Sequence, residues 1–407
     1  MWILLFLKMQ IKNPMSFINR TCYFLFCVTI LQCFSSVLCA QTKDNRTVDI
    51  PMQANLTIGL EGQPPEHQLG RPIAVRTDSL GKIYVADQGS MSIKVFNSDG
   101  IFIQEIGRQG RGPGEFQNIS VMDITPEEEI VVIDIMNQRY TFFSTAGEVL
   151  RSYAMRQDNP FIPLSTAYFD DYVLGVQLKE TEEPSWEPRD RLFYAYGDDF
   201  QNGMYSFGSF SALGYNDKFG IRSFNGRPGS IHRMPGEECF VYSPGLYTGT
   251  FYKYCDRDIE GWYLAETFNG AASSYDSPYF TYSAVETVPE DNMLPVLIHY
   301  RGEQIVGRVM SMNAGMFVLD DGRIVNFFAE WKKGVNKYLN GEYILDLHIQ
   351  IFNEKYELSK HSYLLSLDRQ GIPSGSPLVN WKDENDQFYL ITTEGEFPVI
   401  KRFTLDL

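Results

Sequence analysis

The run Ile83-Tyr84-Val85-Ala86-Asp87, followed by Ile93-Lys94-Val95-Phe96 and closed at Gly100, comes back 47 residues later. Its second copy reads Ile130-Val131-Val132-Ile133-Asp134, then Tyr140-Thr141-Phe142-Phe143 and Gly147. Asp87 falls on Asp134, Val95-Phe96 on Phe142-Phe143, and Gly100 on Gly147. Short apolar runs broken by Gly, Asp, Asn and Ser read as strands joined by tight turns. Four such strands fill each unit. A unit this small cannot bury both faces of its own sheet, so it must stack against copies of itself. For a strand-only repeat of this length the architecture is a β-propeller.

Working outward, blade one takes Ile73-Ala74-Val75, Ile83 to Val85, Ile93 to Phe96 and Ile101 to Ile103. Blade two takes Val121-Met122, Ile130 to Ile133, Tyr140 to Phe143 and Val149-Leu150. Blade three is looser, at Thr166 to Tyr168, Tyr172 to Leu174, Leu192 to Tyr196 and Met204 to Phe207. Blade four runs through Ile231, Cys239 to Tyr242, Phe251 to Tyr254 and Trp262 to Leu264. Residues 267–311 read as a long connection with some strand, or as a seventh blade. The pattern returns in blade five, at Met316 to Val325 and Ile349 to Asn353. Blade six has Leu378-Val379, Phe388 to Ile391 and Val399 to Phe403, and is one strand short. Leu56-Thr57-Ile58-Gly59 precedes blade one as Glu105-Ile106-Gly107 precedes blade two. The expectation is an all-β, six-bladed ring closed by an N-terminal strand that completes the last blade, leaving no gap in the ring.

Blade one and its exit resemble NHL-type repeats. The matching residues are Arg71-Pro72-Ile73-Ala74-Val75, Gly81 to Asp87, Ile93 to Phe96, Gly100 and Ile106 to Phe116. The whole looks like the six-bladed propeller proteins of bacterial envelopes in the TolB-like superfamily. The likeness is specific over residues 56–153 and partial in blades five and six; blades three and four lack the Gly and Asp signature. It implies a fold and an extracytoplasmic setting. It implies little about activity, because such relatives include binding scaffolds, lyases and hydrolases.

Residues 1–40 carry Lys8, Lys12 and Arg20, no acid, and an apolar run from Cys22 to Leu38 ending Leu38-Cys39-Ala40-Gln41. That is the order of a secretory signal, and Met15 can also serve as its start. We expect cleavage after Ala40, a propeller domain over 41–407, and a secreted or periplasmic product. An uncleaved anchor or a lipid on Cys39 are the alternatives, and the only routes to a membrane. The net charge of −16 becomes three units more negative without the leader. Such acidity argues against nucleic acid and anionic membrane as partners. Four of the six cysteines lie in the leader. The other two, Cys239 and Cys255, face each other if a hairpin is centred on Tyr247, so they are the disulfide candidate; two packed thiols are the alternative.

Catalytic signatures are few. The five histidines are dispersed, with no His-Glu-x-x-His pairing, and there is no Gly-x-Ser-x-Gly elbow and no Walker loop. Asp87 and Asp134 read first as caps of the turns that follow them. In a propeller, the inter-blade connections and the loops between second and third strands open on one face. Three decorated segments fall there: Arg108 to Phe116, Gln177 to Arg191 and Glu330 to Asp346. Their candidate binding residues are Arg108, Arg111, Glu115, Trp186, Trp331 and Lys332. Arginine suits carboxylate or phosphate, and tryptophan suits sugar or peptide faces. The function expected is a monomeric binding module that recognises a protein, glycan or small molecule through this face, without cofactor or metal. The alternative is a propeller lyase or hydrolase holding Ca²⁺ or another divalent cation in the central channel, with Asp123 and His232 as ligands.

Overall fold

The computed structural model describes residues 52–156, 161–177, 191–214, 227–257, 261–282, 296–300, 303–331, 344–368 and 377–406. The leader expected over residues 1–40, Trp186 and Lys332 lie outside the described residues. Six four-stranded antiparallel sheets form the blades, each running in chain order from the axis outward except the last. The innermost strands are Pro72–Thr77, Ile119–Ile124, Thr166–Tyr168, Gly229–Arg233, Ser311–Val318 and Val379–Lys382. Blade six is completed from outside by Met52–Ile58, which pairs antiparallel with Phe397–Leu405, Leu56 opposite Arg402 and Ile58 opposite Ile400. The ring is therefore closed by the two ends of the described chain.

Hydrophobic burial lies between blades. Six clusters of buried side chains occupy six interfaces, one for each pair of neighbours. Tyr84 and Ala86 face blade two, whereas Ile83 and Val85 on the same strand face blade six. A strand sandwiched on both sides reads as a continuous apolar run, and all of Ile83–Asp87 is buried. The interface between blades six and one gathers Ile58, Tyr389 and Ile400 with Val75, Val85 and Phe96.

The repeated aspartates explain why the two copies stay in step. The Asp87 carboxylate accepts the Gly70 and Arg71 amides, at 2.9 and 2.5 Å, and the Gly89 amide at 2.9 Å. Asp134 does the same for Gln117, Asn118, Met136 and Asn137. Each carboxylate thus caps the following turn and also ties down the segment that leads into its blade's innermost strand. The repeated glycine has a steric reason. Gly100 and Gly147 sit at φ of 77° and 90°. A Cβ on Gly100 would lie 2.6 Å from Leu56 of the closing strand, and one on Gly147 would lie 2.9 Å from Ile106 of blade one. The closing strand meets blade one as blade one meets blade two.

Residues 267–311 contain a three-stranded sheet of Tyr279–Tyr282, Glu303–Val309 and Val296–Tyr300, in that order. It supplies none of the channel lining and is no seventh blade. In blade four, Cys239 and Cys255 are paired across adjacent strands and joined by a disulfide.

Candidate functional site

Strand register identifies one equivalent position in every blade, the next-to-last ladder pair between first and second strands. It holds Arg76, Asp123, Ala167, His232, Phe317 and Trp381. All six line a cavity of about 330 Å³ at the axis of the ring. In a ring of six, blade one stands across from blade four, so Arg76 and His232 come from opposite walls. Asp123 likewise stands across from Phe317, and Ala167 from Trp381. Tyr168, Arg233 and Lys382, one residue further along their strands, also border the cavity.

The polar half of this ring is tightly joined. Arg76 Nε donates to Asp123 Oδ1 at 2.6 Å, and its Nη1 donates to the Val75 carbonyl at 2.7 Å and to Asn380 Oδ1 at 3.3 Å. The guanidinium lies over the Trp381 ring, 4.7 Å from its centroid. Trp381 is held in turn by its Nε1–H, which donates to Thr77 Oγ1 at 2.8 Å. Asp123 Oδ1 also accepts the Ile124 amide, and Oδ2 accepts the hydroxyls of Thr166 and Tyr168. Arg76 and Asp123 are 47 residues apart, so the repeat itself places opposite charges side by side in neighbouring blades. Burial and the Asp123 charge push the Tyr168 phenol well above its ordinary range, so it stays a neutral donor.

Two groups are left over. Arg76 Nη2 has no protein partner among the described residues, and neither ring nitrogen of His232 has one. The His232 ring makes an edge contact with Phe317, 5.3 Å between centroids. Burial, reinforced by the positive Lys382 and Arg76 and opposed by Asp123, pushes its pKa down to about 4. At neutral pH it is an uncharged imidazole facing the cavity.

Asp123 and His232 both reach the channel, but the carboxylate is poorly suited to a cation. Both its oxygens are occupied by protein donors, the Arg76 guanidinium among them. Among the described residues, three close metal-type donors occur at Glu237, Cys239 and Cys255, where both sulfurs are in the disulfide.

The decorated face looks different from its sequence-based expectation. Arg108 pairs with Glu115 at 2.8 Å, and Glu115 accepts the Gly112 amide at 2.8 Å. These contacts, the Gly112 amide foremost, hold the Glu115 carboxyl below its ordinary value. Arg139 reaches over to the carbonyls of Arg111, Gly112 and Glu115. The loop is a folded turn whose Arg108 and Glu115 charges satisfy each other; Arg111 is exposed, and none of the three lines the cavity. Trp331 corrects the expectation of an exposed anchor. It ends the strand Ile324–Trp331, is 7 % exposed, and donates its Nε1–H to the Val309 carbonyl at 2.7 Å. Glu330 beside it is also buried, accepting from the Ser273 hydroxyl and the Ser274 amide.

Sequence reading placed Asp123 and His232 on the channel but missed the contribution of blade six, Asn380, Trp381 and Lys382. Its innermost strand is recognisable only as Leu378-Val379, after which Trp381 stands between the polar Asn380 and Lys382. A second spacing was available: Asp78 and Tyr84 of blade one match Asp383 and Tyr389 of blade six. In both, the tyrosine hydroxyl donates to the turn aspartate, at 2.9 and 3.1 Å. That spacing aligns Trp381 with Arg76.

The family model DUF5128, a 6-bladed beta-propeller, matches residues 65–172. No curated protein matches the sequence. Among solved structures, a member of the DUF4221 family from Bacteroides vulgatus is similar with a TM-score of 0.51 and 11% identity, over 89% of this chain and 99% of that one. A candidate exported protein from Bacteroides fragilis has a TM-score of 0.47 and 12% identity, over 87% and 94% of the two chains. Virginiamycin B lyase from Staphylococcus aureus has a TM-score of 0.42 and 9% identity, over 88% and 99%. At these identities the likeness is one of fold.

Proposed function

We propose that this chain is an extracytoplasmic binding module that holds a small organic ligand in the central channel of its propeller. The observation that carries the reading is the axial cavity of about 330 Å³, where polar and aromatic groups converge from all six blades. That volume is at the lower end of small-molecule sites. The ring supplies rigidity, because most lining residues, including the six equivalent ones, sit on strands rather than on loops. The order of residues in the leader and the disulfide between Cys239 and Cys255 support the extracytoplasmic setting.

Trp381 is a built-in reporter. Mature protein labelled with 5-fluorotryptophan gives a fluorine resonance for each of the four tryptophans that follow Ala40, and Trp381→Phe identifies the one in the channel. A library of neutral and charged fragments is then titrated. A bound fragment is expected to move the Trp381 resonance while leaving that of Trp262, packed in the interface of blades three and four, in place. If fragments bind and none moves Trp381, the channel is not the site.

A further inference from the structure

Resting on the channel reading, we infer that the ligand is a small organic carboxylate with a flat apolar body, its anionic group seated between Arg76 Nη2 and His232. Three features converge on this class. The first is charge. The cavity lining has three cationic side chains, Arg76, Arg233 and Lys382, against the single carboxylate of Asp123, in a chain whose net charge is −16. Asp123 is neutralised by Arg76. Arg233 and Lys382 pair with Asp170, Glu238 and Asp386, whose side chains are 87, 58 and 47 % exposed, so solvent weakens these pairs. The residues that line the channel are thus richer in cations than in carboxylates, in an otherwise acidic molecule, which favours an anion.

The second feature is geometry. The Arg76 guanidinium is fixed on all other sides, by Asp123 at Nε, by Val75 and Asn380 at Nη1, and by the Trp381 ring beneath its plane. Nη2 is the edge that remains, oriented by the rest of the group on a side chain that is 14 % exposed. A planar fork held this way meets a carboxylate with little further loss of freedom. Across the channel, His232 lacks a protein partner and offers an N–H to the second carboxylate oxygen. The third feature is the apolar half of the ring. Trp381 and the buried Phe317 contribute aromatic surface to the wall, and the small Ala167 stands across from Trp381.

The test uses the full chain labelled with 5-fluorotryptophan and two probes of nearly the same shape, benzoate and uncharged benzamide. Benzoate is expected to shift the Trp381 resonance with a Kd at least tenfold lower than that of benzamide. Arg76→Gln is expected to erase this preference. Should that variant misfold for want of a partner to Asp123, His232→Gln, which breaks no hydrogen bond, is expected to weaken benzoate severalfold and leave benzamide alone. If benzamide binds as tightly as benzoate, the carboxylate class is wrong while the channel remains a site. If benzoate at millimolar concentration leaves Trp381 unmoved, the class is likewise overturned, and the response of Trp381 to neutral fragments decides separately whether the channel binds anything.

Discussion

Ile58→Ala tests whether the closing strand holds the ring together. Ile58 is 2 % exposed and lies among side chains of blades six and one. The substitution removes three carbon atoms, about 2.4 kcal/mol of transfer free energy at ~0.8 kcal/mol per methylene. The space left lies among Val75, Ile391 and Ile400, on strands fixed by their own ladders, so it cannot fully collapse. The total loss should therefore reach about 3–4 kcal/mol. Equilibrium urea unfolding, followed by tryptophan fluorescence, measures it as a lowered midpoint at constant slope. Leu80→Ala is the control; Leu80 is 77% exposed, so its change should stay within about 0.5 kcal/mol. A loss below about 1 kcal/mol for Ile58→Ala would refute the argument, since it would mean that the strand covers blade six without bracing it against blade one.

Asp134→Ala strips the acceptor from four backbone amides and should cost about 2–4 kcal/mol in the same assay, with Asp134→Asn recovering part of it. Trp331→Ala should cost about 3–5 kcal/mol, whereas Arg108→Ala should change stability by less than about 0.5 kcal/mol; the reverse order would show that the two residues have been placed wrongly. His232 makes folding pH-dependent. Its folded pKa of about 4 lies below the ordinary 6.5, so the unfolded chain takes up a proton first as pH falls. The stability it contributes is complete above pH 6.5 and is lost as pH falls to about 4; the loss is at most about 3 kcal/mol, less where channel water reaches the ring. Wild type should therefore lose stability relative to His232→Gln between pH 7 and 4, and a difference that stays constant with pH would contradict the assignment.

Blades one and two were legible because their turns demand particular residues. Asp87 and Asp134 must accept the same amides, and Gly100 and Gly147 must leave space for a neighbouring strand, so chemistry recurs with the spacing. Closure was legible for a related reason, since Leu56 to Gly59 repeats the approach of Glu105 to Gly107. The channel was harder to read. Its ring draws one residue from each of six strands between positions 76 and 381, and only Arg76 and Asp123 are related by the visible repeat. A bulge at Asn380 further disguises the blade-six strand. Trp331 was misjudged because Glu330 and Lys332 make the segment look like a charged loop. The strand in fact runs on to Trp331, and the Glu330 charge is satisfied by Ser273 and Ser274, more than fifty residues away in sequence.

The closing strand also sets an order of events. Of the described strands, Met52–Ile58 is made before any other, yet its partner, Phe397–Leu405, comes after all of them. At roughly 5–20 residues per second, the intervening stretch of about 350 residues takes about 20–70 s to synthesise. Throughout that time the early segment has an unpaired backbone and blade one lacks one neighbour. Its composition suits the delay. Of the seven residues Met-Gln-Ala-Asn-Leu-Thr-Ile only Ile58 is buried in the finished ring, and the polar ones discourage pairing with other chains. Ring closure is thus the final step of assembly, and the channel acquires its complete lining only when the last blade arrives.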